Sequence, residues 1–196
     1  MDLQDPGAKR PFIVGIGGTV RAGSTTELAL VESLKVCEAA GARTRLFGGA
    51  FLAGLPLYDP RPDEVTPQQA ELVEAVRACD GVIVATPGYH GSISGLVKNA
   101  LDALEITAAD PAPYFQGRPV GAIVTAHGWQ ATGSTLAALR AIIHALRGWP
   151  TPFGAALNVT GGLFDAEGGC IEAKDAWALA TVAEQVMEFS AMRAGR

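Results

Sequence analysis

Short apolar runs rich in β-branched residues alternate five times with helix-length segments along this chain, and that order constrains the fold more than any other feature. Repeated strand-then-helix units leave parallel strands that need cover on both faces, which is the doubly wound α/β arrangement. The pattern predicts strands at 12–17 (FIVGIG), 43–47 (RTRLF), 81–86 (GVIVAT), 119–125 (PVGAIVT) and 153–159 (FGAALNV). The third and fourth are apolar throughout, as interior parallel strands are. Helices are expected at 24–40, 67–79, 94–105, 133–147 and 172–192. Thr66 before Pro67 reads as an N-cap with proline in the first turn, and Gly41 and Gly148 stand where helices should stop. Segments 48–66 and 160–171 are rich in Gly and Pro and read as loops, the first long enough for a lid or an interface element.

No linker and no repeat interrupts the alternation, so residues 1–196 are expected to form a single domain, with about 1–10 a flexible N-terminal segment. A net charge of -5 leaves no basic excess for a phosphate backbone, which argues against nucleic acid as a partner. The opening MDLQDPGAKRP lacks a charged-then-apolar leader and no apolar run approaches a membrane span, so a cytoplasmic protein without membrane contact is expected. Cys37, Cys79 and Cys170 lie at wide spacings without a C-x-x-C or a neighbouring His, and neither a disulfide framework nor a metal site is expected.

In sheets of this kind ligands bind at the carboxyl ends of the strands, near the point where strand order reverses. After the first predicted strand comes Gly17-Gly18-Thr19-Val20-Arg21-Ala22-Gly23-Ser24-Thr25-Thr26, leading into a helix. Glycines let backbone N–H groups approach an anion, Thr19, Ser24 and Thr26 bring hydroxyls, Arg21 brings charge, and the helix N-terminus adds its dipole. A capped strand-to-helix turn needs much of the same chemistry. A P-loop is excluded because no G-x-x-x-x-G-K-[ST] occurs. Gly15-x-Gly17-x-x-Val20 lacks the third glycine of the dinucleotide fingerprint, and Leu46-Phe47-Gly48 supplies no acid for a ribose. A receiver domain would need acids where Gly17-Gly18-Thr19 and Thr86-Pro87 stand.

After the third strand the chain reads Thr86-Pro87-Gly88-Tyr89-His90-Gly91-Ser92-Ile93-Ser94-Gly95-Leu96-Val97-Lys98-Asn99-Ala100-Leu101-Asp102. With the first loop read as G-T-V-R-x-G-S-x-T, this stretch resembles the NADPH-dependent FMN reductase family and its P-x-Y-x-x-S-x-x-G-x-L-K-N-x-L-D motif, over about residues 11–147. It is particularly similar to reductases that supply reduced flavin to two-component monooxygenases. The resemblance implies a flavodoxin-like fold with a five-stranded parallel sheet in the order 2-1-3-4-5, a non-covalent FMN, NADPH or NADH as hydride donor, and a homodimer or homotetramer. It places the FMN phosphate on Thr19, Arg21, Ser24 and Thr26, and the ring against Pro87, Tyr89, His90, Gly91 and Ser92. His90 stands where relatives more often carry Asn or Lys, and Gly88 replaces a Glu found in one branch.

The third loop, Ala126 to Ser134, departs from the family's run of Gly and Ser, so only its position carries over, to Gly128 and Thr132. Trp129 reads as a ring-stacking or an interface residue, His144 as a partly buried helix residue, and Lys98 with Asp102 as a surface ion pair. Arg43 and Arg45 are candidates for the extra phosphate of NADPH. Leu55-Pro56-Leu57-Tyr58-Asp59 resembles a family stretch that lies near a partner subunit's flavin. Two other classes stay open: an electron-carrying flavodoxin, and a flavin-free partner subunit. Within the enzyme class the acceptor is free flavin, a quinone, an azo compound or a metal oxyanion.

Overall fold

The structure, a computed structural model, describes residues 10–61 and 64–195. Most of the expected N-terminal segment, residues 1–9, therefore lies outside the described residues, while Arg10 donates to the Gly41 carbonyl (3.0 Å) and the Ala42 carbonyl (3.3 Å). Along the chain the elements are β1 (Phe12–Gly17), α1 (Thr25–Ala39), β2 (Arg43–Phe47), α2 (Gly49–Ala53), α3 (Pro67–Ala78), β3 (Gly81–Tyr89), β4 (Ser92–Ile93) and α4 (Gly95–Asp102). A 3-10 turn (Ala103–Thr107) leads to β5 (Pro119–Ala126), α5 (Trp129–Ala145), β6 (Trp149–Pro150), β7 (Ala155–Asn158) and α6 (Ala173–Ala194).

The sheet runs β2-β1-β3-β5, and its fifth position is shared: Trp149 pairs with Pro119 at the amino end of β5, and Ala155 to Asn158 pair with Ile123 to Ala126 at its carboxyl end. The expected order 2-1-3-4-5 thus holds by position, but among the described residues the sheet has seven strands instead of five. The fifth predicted strand, 153–159, is β7, and the two-residue β6 is an addition ahead of it, set apart by Thr151 to Gly154, where Pro152 has no N–H for a ladder. The other addition is β4, which folds back antiparallel on the end of β3.

Alternation along the central strands explains the two layers. Val14, Ile16, Val82, Val84, Val120 and Val124 point into a core closed by α3, α4 and α5. Ile13, Ile83, Ala85 and Ile123 point the other way, into a core closed by α1 and α6. Strands β1 and β5 are buried along their whole length, and the edge strand β2 carries Arg43 and Arg45 outward, as an edge protected from further pairing does. Gly15 and Gly121 let the helices close on the sheet: a Cβ there would lie 2.7 Å from Leu34 Cδ1 and 2.5 Å from Val182 Cγ1 respectively.

Local signals account for the helix ends. Thr66 caps α3 in a full capping box with Gln69, and Ser94 caps α4 by accepting from Val97 N–H (3.2 Å). At the end of α5 the left-handed residue is Arg147 (φ 60°), and Gly148 serves tight packing instead, since a Cβ would meet Val120, Ile143 and Phe115 at 2.9 to 3.0 Å. Burial pushes the Cys37 thiol up to about 12, with the nearby Glu38 charge adding to it, and pushes Cys79 up to about 11. A folded value raised above the ordinary 9.0 contributes stability that is complete below that pH and is lost as pH climbs through the folded value. The urea midpoint should therefore fall as pH rises above 9.0, and Cys37→Ala should show a smaller fall than the parent; an identical fall would remove the thiol as a cause.

Candidate functional site

The β1–α1 loop is shaped from both ends. Thr19 Oγ1 accepts from Arg21 N–H (3.2 Å), which folds the loop on itself. Ser24 caps α1 by accepting from Glu27 N–H (3.3 Å), which leaves its own hydroxyl proton free to donate. Thr26, on the first turn of α1, is buried and shares a 2.6 Å hydrogen bond with Thr125 at the end of β5. Among the described residues the Arg21 guanidinium has no ion-pair or hydrogen-bond partner, whereas Arg45 is paired with Glu71 and Arg43 lies 3.6 Å over the Phe12 ring. Behind the loop, Glu27 turns its carboxylate away and accepts from Gly49 N–H (2.7 Å), tying α2 to α1.

The end of β3 lies against α5, because Gly88 has no side chain: a Cβ there would sit 2.7 Å from Thr135 Oγ1. Register places Pro87 beside Thr125, so the loops leaving β3 and β5 start as neighbours. Tyr89 is half-exposed, and His90 (φ 51°) and Gly91 (φ 89°) are the two central residues of the hairpin that turns into β4. Thr86 Oγ1 accepts from Ser94 N–H (3.0 Å) and locks the base of this hairpin to the start of α4.

These loops enclose an open cavity of about 760 Å3 at the carboxyl edge of β1, β3 and β5. It brings together Thr19, Arg21, Ser24 and Thr26 from the first loop with Pro87, Tyr89 and His90 from the second. Gly91, Ser92, Gly128 and Thr132 do not line it. Ser92 is spent on β4, and helix α5 starts at Trp129, earlier than its predicted start at 133, so that Thr132 lies inside it and donates to Trp129 O (2.9 Å). Gly128 instead caps that helix with φ 97°, its N–H on Asn158 Oδ1 (3.0 Å). Residues the sequence reading passed over are Thr125, His127, Ala131 and Val159. Thr125 closes the predicted 119–125 strand, so the carboxyl-edge rule alone would have found it. Trp129 is exposed on the first turn of α5, and His144 is exposed, not partly buried, because it falls on the outer face of that helix. Lys98 and Asp102 form the expected surface pair at 2.7 Å.

Over 93 residues the chain is 39% identical to an FMN-dependent NADPH-azoreductase of Staphylococcus aureus, a stretch covering 47% of this chain and 46% of that protein. The chain therefore spans about half the length of the curated relatives it matches. In shape it is similar to FerB, a flavoenzyme NAD(P)H:(acceptor) oxidoreductase from Paracoccus denitrificans, with TM-score 0.75 and 20% identity over 93% of this chain and 98% of that one. It is also similar to the apo form of an NADH:FMN oxidoreductase (TM-score 0.69, 23% identity, 93% and 89% covered) and to a flavodoxin from Streptococcus pneumonia TIGR4 (TM-score 0.59, 12% identity, 90% and 98% covered). The likenesses in shape establish a flavodoxin-like fold. The family match covers residues 11–160, which include every loop around the cavity, and the chain belongs to the NADPH-dependent FMN reductase family.

Proposed function

We propose that the chain is an NAD(P)H-dependent flavin reductase that holds FMN in the cavity at the carboxyl edge of β1, β3 and β5. One observation carries this reading: the cavity joins an unpaired Arg21 and hydroxyls at a helix N-terminus on one side to the flat Pro87–Tyr89 wall on the other, and no Asp or Glu among the described residues lines it. That donor set suits a phosphate at one end and a planar ring at the other. Arg21, Thr19 and Ser24 would hold the phosphate, with the dipole of α1 adding to their effect. Thr26 contributes through Thr125, since the two hydroxyls share one hydrogen bond and leave one proton to offer. Pro87 and Tyr89 would carry the ring, and the backbone at His90, Gly91 and Ser92 its polar edge. Bound flavin supplies the hydride chemistry, so the protein needs to orient two partners and no general acid is called for.

NADPH and NADH are both taken as donors. The likeness to the S. aureus azoreductase favours azo compounds among acceptors, beside quinones and free flavin for a monooxygenase. A cytoplasmic homodimer or homotetramer is proposed, on the resemblance and on Leu57, which is 87% exposed although Asn99 fixes its loop through Pro56 O (2.9 Å) and Tyr58 N–H (2.8 Å). No helix among the described residues is long and apolar enough to cross a membrane.

The test is an anaerobic visible spectrum with added FMN, before and after NADPH and then NADH. Bleaching of bound flavin supports the reductase; bound flavin that neither nucleotide bleaches identifies an electron carrier, and no uptake leaves only the fold. In the same titration Arg21→Ala should weaken FMN by about 1 to 3 kcal/mol, and unchanged affinity would take Arg21 out of the phosphate site.

A further inference from the structure

We propose that His90 and His127 form an anion subsite in this cavity, made of residues other than those of the phosphate loop, which takes the acidic group of the substrate that lies over the flavin. The inference rests on the reductase reading and names what that site recognises. The chain has 3 histidines, and two of them line this one cavity, while His144 lies elsewhere on α5. The chain carries 20 acidic against 15 basic residues, yet no carboxylate among the described residues lines the cavity. Its lining offers N–H groups to an anion without a competing negative charge.

Backbone geometry supplies an independent argument. His90 adopts φ 51° at the first central position of a two-residue hairpin turn whose second is Gly91 at φ 89°. Such turns are ordinarily built with Asn, Asp or Gly, for which the left-handed region is accessible. A histidine there is strained, and no hydrogen bond within the described residues uses its imidazole. Of the left-handed non-glycine residues among the described ones, His90 is the one that lines the cavity, and such positions cluster at ligand sites. His127 is likewise exposed and unpartnered among the described residues. Pro87 and Thr125 are register partners and the histidines follow three and two residues later, so both leave the carboxyl edge from adjacent strands.

Either tautomer of a neutral imidazole presents one N–H, so two imidazoles can converge on one carboxylate, sulfonate or phosphate. Arg21, in the β1–α1 loop, remains for the FMN phosphate. The anion can come from a phosphate of the nicotinamide nucleotide or from an acidic substituent on an aromatic acceptor.

The experiment is calorimetric titration of FMN-loaded protein with NADP+, with an anthraquinone monosulfonate, and with the corresponding uncharged sulfonamide. The variants are His127→Leu, at an exposed position, and the same change combined with His90→Gly, which suits the left-handed turn. A Kd for NADP+ raised about tenfold assigns the subsite to the nucleotide. An equal rise for the sulfonate relative to the sulfonamide assigns it to the acceptor. The subsite is overturned if NADP+ binding is unmoved and the sulfonate and sulfonamide keep their ratio. Parent protein that takes up no FMN overturns the reductase reading itself, and the subsite with it.

Discussion

Gly49→Ala is expected to lower stability by about 3 kcal/mol and to weaken FMN by at least about tenfold. The reason is a contact with no slack. A Cβ on Gly49 would lie 1.6 Å from the Thr19 carbonyl oxygen and 2.5 Å from its carbon, and both are backbone atoms that cannot rotate away. Either the first loop lifts off α2, which moves Thr19 and Arg21, or α2 shifts and breaks the Gly49 N–H bond to Glu27. Gly48→Ala is the control: its φ of -78° suits alanine, and the obstacle is the end of the Glu27 side chain at 2.8 Å. That variant should cost about 1 to 2 kcal/mol, the Glu27 bond to Gly49 N–H being weakened when the carboxylate swings aside, while the Thr19 backbone stays where it is. Urea denaturation and an FMN fluorescence titration on both variants check the pair. Equal behaviour of the two would mean that the phosphate loop is not seated on α2.

The same contact shows where the sequence was legible and where it was not. Strands β1, β3 and β5 could be read because interior parallel strands must be apolar on both faces, and the two loops beside them because glycine and hydroxyl residues at strand ends have few other uses. Helix α2 could not be read: Gly-Ala-Phe-Leu-Ala is too short for a helical period, and it is held by distant groups, Glu27 on Gly49 N–H and Phe47 against Phe51 at 4.8 Å. Segment 48–66 therefore reads as loop throughout, although its first turn braces the site.

Helix α5 hid its start in a similar way. Gly133 and Ser134 argue locally for a loop, but Thr132 and Thr135 are buried in the structure and Gly128 takes the cap, so packing overrides propensity. With α5 starting four residues early, Thr132 turns into the helix and Gly128 into its cap, which leaves His127 as the loop residue on the cavity. At the edge of the sheet β7 was legible and β6 was not, because Trp149 and Pro150 are too short to show a strand period.

Arg118→Met should cost about 3 to 4 kcal/mol, with the urea midpoint lowered and the slope unchanged. Arg118 precedes β5 and is 5% exposed, at the opposite end of the sheet from the cavity. Its guanidinium donates to four carbonyls: Arg77 (2.8 Å), Cys79 (3.0 Å), Tyr114 (3.3 Å) and Gln116 (3.5 Å). Arg77 and Cys79 end helix α3, whose last carbonyls and dipole favour a cation, and Tyr114 is held at φ 53° in the loop that delivers β5. Methionine keeps the aliphatic stem but leaves those carbonyls without their donor, which is the costly half of a hydrogen bond to lose. Lysine keeps the charge on a single compact head and cannot span both pairs, so Arg118→Lys should fall between the parent and Arg118→Met. Because β5 also carries Thr125 and leads to His127, a large loss of stability with FMN affinity intact would show that the carboxyl edge is held independently of this anchor. Loss of both would show that the strand transmits it.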